Sequence, residues 1–146
     1  MTIRKIEKED LQKCSKILEK AYSRSPYNEN FKENTSEFYI LNKYDDCKDN
    51  SFVLLNDKEE IIAFTFLSIS YWSDGKQAIL EEIVVDPDFQ NKGIGTTLLD
   101  YIFNYAKTLD VKSIMFWAKN NDRLLDFYRK HGCFEADDFV VMFKNF

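Results

Sequence analysis

The sequence predicts a mixed α/β fold of the α+β kind, with one sheet covered by helices on both faces. Three observations predict it. Runs rich in β-branched and aromatic residues alternate with stretches of helical periodicity. A helical front is followed by a meander of strand-like runs, and then by helix and strand in alternation. The 146 residues suit one domain, 1–146, large enough to bury roughly 68–70% of the surface of the unfolded chain.

The elements follow in order. "TIRKIE" is a first strand with modest signal. Leu11, Cys14, Ile17, Leu18 and Ala21 recur at helical spacing, and "SRSPYNEN" breaks that helix. A second helix is expected from about Thr35 to Tyr44, with Phe38 and Leu41 on one face. "SFVLL" and "IIAFTFLSISYW" form a hairpin across "NDKEE". "SDGK" turns the chain again into "QAILEEIVV", which ends at Asp86-Pro87-Asp88 because proline cannot donate to a ladder. Leu98, Leu99, Ile102, Phe103 and Ala106 mark a strongly amphipathic helix. "KSIMFWA" is a strand. "NNDRLLDFYRKHG" is a short helix capped by Asn120 or Asn121 and stopped by Gly132. "FVVMFK" reads as a last strand.

Composition narrows the function classes. A net charge of −5 argues against nucleic acid and against an anionic membrane surface as partners. Cys14, Cys47 and Cys133 are odd in number and far apart, which suits reduced thiols rather than a disulfide framework. The start "MTIRKIEKED" has no apolar signal core, and the longest apolar runs are too short to span a bilayer. The expectation is a cytoplasmic protein with no membrane partner; a homodimer is left open.

"QNKGIGTTLLDY" holds two of the chain's 4 glycines, Gly93 and Gly95, between a strand and a helix. A helix start offers unpaired N–H groups and a partial positive charge, and so attracts anions. Glycine lets the backbone come close and take positive φ. Gln90 and Lys92 add a donor and a cation. One reading is a pyrophosphate cradle; the other is a tight strand-to-helix turn that binds nothing. No Walker string G-x-x-x-x-G-K-[ST] is present, and a Rossmann fingerprint would need a third glycine at Leu98.

The run from Val85 to Thr96, "VDPDFQNKGIGT", resembles the acyl-CoA-binding signature of the GNAT superfamily of N-acetyltransferases: V-x-P, a short loop, then [QR]-x-x-G-x-[GA]. "NDRLLDFYRKHG", from Asn121 to Gly132, is similar to the family's N-x6-Y-x3-G segment. The order of elements matches the family over nearly the whole chain. Two departures stand out: Asn91 occupies a position that is often glycine, and Cys133 separates Gly132 from Phe134. The resemblance implies a GNAT-like, mostly antiparallel mixed sheet, splayed between strands 4 and 5. It implies acetyl-CoA as co-substrate, with the amides of Asn91, Lys92, Gly93, Ile94, Gly95 and Thr96 on its pyrophosphate. The pantetheine arm would lie along Ile83 and Val85 and touch Asn121. The Val84 or Val85 amide would face the acetyl carbonyl as a small oxyanion hole.

The implied reaction is direct attack of a primary amine on the thioester in a ternary complex. Tyr128 is the family-matched tyrosine that gives a proton to the departing sulfur. For the base, strand alternation puts Glu81, Ile83 and Val85 on one face and Glu82 and Val84 on the other. Many family members carry a glutamate an even number of residues before that valine, so the resemblance favours Glu81 over Glu82, with a water chain as the third choice. His131, the only histidine, reads as a surface or capping residue, and no His/Cys cluster suggests a metal. Tyr22, Tyr27, Phe31 and Trp72 are expected to line the acceptor site, where aromatic faces attract cations. The acceptor is a small-molecule or peptide amine. The competing reading is a catalytically silent acyl-CoA sensor or interaction module. A nucleotide-binding switch is disfavoured, because no Mg²⁺-binding Ser/Thr follows a loop lysine.

Overall fold

The computed structural model describes residues 1–146. Five strands, β1 (Thr2–Lys5), β2 (Ser51–Leu55), β3 (Ile61–Trp72), β4 (Gly75–Val85) and β5 (Val111–Met115), form one sheet in sequential order. The first four pair antiparallel and β5 joins β4 in parallel. Four helices complete the fold: α1 (Leu11–Tyr22), α2 (Thr35–Cys47), α3 (Ile94–Thr108) and α4 (Asp122–Lys130). None is long and apolar enough to cross a membrane.

Strand alternation sorts the core into two layers. On one face Cys14, Ile17 and Leu18 of α1 and Ile40 and Cys47 of α2 pack against Val53, Phe64, Phe66 and Val84. On the other, Leu98, Leu99, Ile102 and Ala106 of α3 meet Phe52, Leu54, Ile62, Leu67 and Leu80. Helices on both faces and the mixed sheet are therefore as the sequence implies.

Two features of β4 matter for function. β5 pairs only with Lys76–Ile79, so the second half of β4, through Val85, has no partner on that side. This is the splay between strands 4 and 5. The β3–β4 register also slips: Phe66 faces Glu82 while Leu67 faces Leu80, which leaves Glu81 as an extra residue. Such a bulge breaks the period-2 alternation.

Three sequence expectations need correction. The face of α2 carrying Phe38 and Leu41 points outward, leaving them 62% and 37% exposed. Ser36 and Ile40, one turn apart, form the buried stripe with Cys47 instead. The segment "FVVMFK" forms no strand: a strand exists only against a ladder partner, and Phe139–Lys144 pair with none. The parity argument for Glu81 and Glu82 fails at the bulge, where both side chains reach α2.

Candidate active site

The β4–α3 connection builds the first part of the site. Asp86 caps a 3-10 turn at Pro87–Phe89 through the Asp88 amide. Lys20 of α1 clamps that turn from outside, at 2.5 Å from the buried Asp86 and 2.6 Å from Asp88. Asn91 and Gly93 then adopt left-handed backbone, with φ 62° and 76°. Asparagine tolerates this region better than other residues with a side chain, which explains how Asn91 stands where the family signature often has glycine. Gly95 lies inside α3 with ordinary helical backbone. A Cβ there would make ordinary contacts, 3.5 Å from Phe127 and 3.8 Å from Val85, so crowding begins only with a larger side chain.

The loop leaves its donors free. The first amide of the helix to find a carbonyl is that of Thr97, which bonds Gly93. The amides of Asn91, Lys92, Gly93, Ile94, Gly95 and Thr96 make no hydrogen bond within the chain. Such a run of unbonded amides at a helix start has the chemistry to accept an anion. Gln90 ties the loop to β4 by donating to the Val85 carbonyl at 3.2 Å. Lys92 turns away, toward the Asp88 carbonyl and the Phe89 ring.

A cleft of about 390 Å³ joins this loop to the open side of β4. Of the residues singled out from sequence, Tyr22, Tyr27, Ile83, Val84, Val85, Gln90, Asn91, Gly93, Gly95, Thr96, Asn121 and Tyr128 line it. Ile94 is buried beneath the loop. Phe31 packs edge-on to Tyr22, one layer back. Trp72 is 72% exposed at the far end of β3 and is not part of the lining. Arg24, Phe127 and Arg123 also line the cleft, and Arg123 donates to the Asn91 side chain.

α4 supplies the opposite wall. Asn121 caps it by accepting from the Leu124 amide at 3.1 Å. Gly132, with φ 82°, ends it: the Gly132 amide bonds Arg129 and the Cys133 amide bonds Tyr128, a Schellman closure. That closure uses the Cys133 amide and is indifferent to its side chain. His131 bonds the Phe127 carbonyl through Nδ1 at 2.7 Å, a capping arrangement. Tyr128 rests on Phe116, its ring centroid 4.6 Å away, and its hydroxyl makes no hydrogen bond. Burial, helped by Tyr27 and Glu82, holds this phenol protonated well above its ordinary range.

The two glutamates of β4 differ sharply. Glu81 is ion-paired with Lys43 at 2.7 Å and accepts from Ser68 at 2.7 Å. Despite its burial, these partners hold its carboxyl below the usual glutamate range. Glu82 has no cationic partner in contact. It accepts from Tyr22 at 3.0 and 3.2 Å and from Tyr39 at 2.9 Å. Burial pushes it up to about 7, against the opposing pull of the two hydroxyls. Sequence reasoning missed Tyr39. Its place on the buried side of α2, beside Ile40, was the available signal.

Comparison with known proteins agrees with this geometry. The Acetyltransferase (GNAT) family model matches residues 11–133. The chain belongs to the GNAT acetyltransferase family. It is 31% identical over 145 residues to an uncharacterized N-acetyltransferase of Methanocaldococcus jannaschii, covering 95% of this chain and 62% of that one. It spans 62% of the length of that relative and 54% of the Bacillus subtilis protein YdhI, to which it is 34% identical over 97 residues. A possible acetyltransferase from Clostridium difficile 630 superposes with a TM-score of 0.83 over 99% of this chain and 97% of the other, at 16% identity. Naa20 of Chaetomium thermophilum, solved with a bisubstrate analogue, gives 0.67 over 90% of this chain and 70% of the other, at 18% identity. At such identities the structural likenesses speak for the fold.

Proposed function

We propose that this GNAT domain moves an acetyl group from acetyl-CoA to a primary amine of a small molecule or peptide, with Glu82 as general base and Tyr128 as general acid. The observation that carries the reading is one cleft lined both by free backbone donors and by the unbonded Tyr128 phenol, with the near-neutral Glu82 carboxylate outside the lining but hydrogen-bonded to the lining residue Tyr22. The fit to the co-substrate rests on the unbonded amides of Asn91–Thr96 and on the bare edge of β4. Bound acetyl-CoA supplies an activated thioester carbonyl. Asn91–Thr96 would bind its pyrophosphate, and Ile83, Val85 and Asn121 would hold the pantetheine arm. The Val84 or Val85 amide is the candidate oxyanion donor.

An amine reaches the cleft as an ammonium ion and must lose a proton to become a nucleophile. A base with a value near neutrality does this without being wholly protonated at working pH. Glu82 meets that condition and the ion-paired Glu81 does not. Tyr128 stays protonated across the working range and can give its proton to the departing thiolate. Tyr22 and Tyr27, stacked with centroids 4.4 Å apart, offer the ammonium an aromatic wall.

The test is a panel of primary amines incubated with acetyl-CoA, reading CoA thiol release and acetylated product by mass. One or more amines should turn over. Saturable acetyl-CoA binding without product from any amine class would favour a silent acyl-CoA-binding module.

A further inference from the structure

Glu82 draws its hydroxyl partners from two separate helices. Tyr22 is the last residue of α1, and Tyr39 lies in the second turn of α2. Tyr22 shares its single proton between the carboxylate oxygens, at 3.0 Å from Oε1 and 3.2 Å from Oε2. Tyr39 donates to Oε2 alone, at 2.9 Å. Oε2 therefore carries two contacts and Oε1 one, which makes Oε1 the freer oxygen for an incoming proton. Neither ring is loose: Tyr22 is stacked on Tyr27 and edged by Phe31, and Lys43 lies over Tyr39 at 5.6 Å.

Resting on the assignment of Glu82 as base, we propose that Tyr22 and Tyr39 are positioning residues that fix the orientation of the Glu82 carboxylate, leave Oε1 as its freer oxygen and favour its charged form. The reasoning is one of sign. A hydroxyl proton donated to a carboxylate favours the charged form, whereas burial favours the neutral one. The other groups around Glu82 cannot replace these donors. Lys43 of α2 favours the charged form by its charge but is engaged with Glu81. Tyr27, in the α1–α2 connection, and Tyr128 of α4 feel the Glu82 charge without bonding it. Glu81, the adjacent carboxylate on β4, is neutralised by Lys43. The two hydroxyls are thus the adjustable counterweight to burial, and they make the base depend on the docking of both front helices.

The experiment is a pH titration of the free 146-residue chain, uniformly labelled with carboxyl-¹³C glutamate and followed by NMR. The Glu82 resonance is identified by its loss in Glu82→Gln. In the unmodified chain its midpoint should lie near 7. Tyr39→Phe and Tyr22→Phe keep each ring and remove only the hydroxyl. Each should raise the midpoint by about one pH unit, the scale of one hydrogen bond to a charged group. The double variant should raise it further. An unmoved midpoint in both folded single variants overturns the proposal, even if Glu82→Gln abolishes turnover. Full turnover in Glu82→Gln would instead remove the base assignment, whatever the titration shows. If one variant fails to fold, the other decides the outcome.

Discussion

The glycine loop at the start of α3 and the surroundings of Glu82 are encoded in different ways. The loop works through backbone: free amides, two left-handed residues and a glycine beside the cleft. Its free donors all lie within Val85–Thr96, with Lys20 and Arg123 bracing it from outside. The proposed catalytic groups and their partners are side chains from β4, α1, α2 and α4, more than 100 residues apart at the extremes of Tyr22 and Tyr128. The loop should therefore tolerate most side-chain changes and fail on added bulk. The pocket should fail on the loss of single polar atoms.

The largest expected effect is at the pocket. Glu82→Gln should lower kcat/KM by about 10²–10⁴-fold. It should also stabilise the fold at high pH. The carboxyl is raised from its ordinary 4.5 to about 7, so the folded state loses stability as pH climbs through that window and carries the full penalty above it. The variant should thus melt higher than the unmodified chain above pH 7, and the gap should close toward pH 4.5. A Tm difference independent of pH would deny that Glu82 titrates in this window.

Tyr128→Phe comes next, with kcat down by about 10²-fold and little change in the KM for acetyl-CoA. Its ring contacts with Phe116 and Phe127 survive, so a loss of folding would not be the explanation. Full activity on a verified amine would make Tyr128 a packing residue.

Gly95→Val probes the loop. Its added methyls reach toward Phe127 and into the cleft, which should weaken acetyl-CoA binding by about 10-fold or more, read by calorimetry. Gly95→Ala, whose Cβ makes ordinary contacts, should bind more tightly than Gly95→Val. Equal affinity in both variants would place the ligand elsewhere.

Glu81→Gln should have the smallest effect, within about threefold on kcat/KM, because its carboxylate is tied up with Lys43 and Ser68. A loss as large as that of Glu82→Gln would erase the distinction between the two neighbours.

What could be read from sequence follows the same division. The glycine pair, Gln90 and the Asn121–Tyr128–Gly132 spacing are local, and the strand-loop-helix setting around them is dictated by nearby residues. The splay of β4 from β5 was legible only through family resemblance, since no residue in either strand announces where pairing stops. The strand-parity argument that separated Glu81 from Glu82 does not hold, for a definable reason. Strand parity assumes unbroken pleating, and the slip between Phe66 and Leu67 inserts one residue at that point. Tyr39 was overlooked because Phe38 and Leu41 are more apolar and seemed the natural inward face. In the fold that side of α2 meets solvent, and Ser36 and Ile40 turn inward. "FVVMFK" has the composition of a strand but no ladder to join.

The most direct test of the account is a ¹H–¹⁵N correlation titration of the unmodified chain with acetyl-CoA. The account predicts saturable shifts that are largest at the free amides of Asn91–Thr96 and continue along Ile83–Val85, with far smaller changes when ATP is added at equal concentration. Saturable shifts centred elsewhere in the sheet, or equal shifts from ATP, would contradict the loop as an acyl-CoA site and with it the reading of the whole cleft.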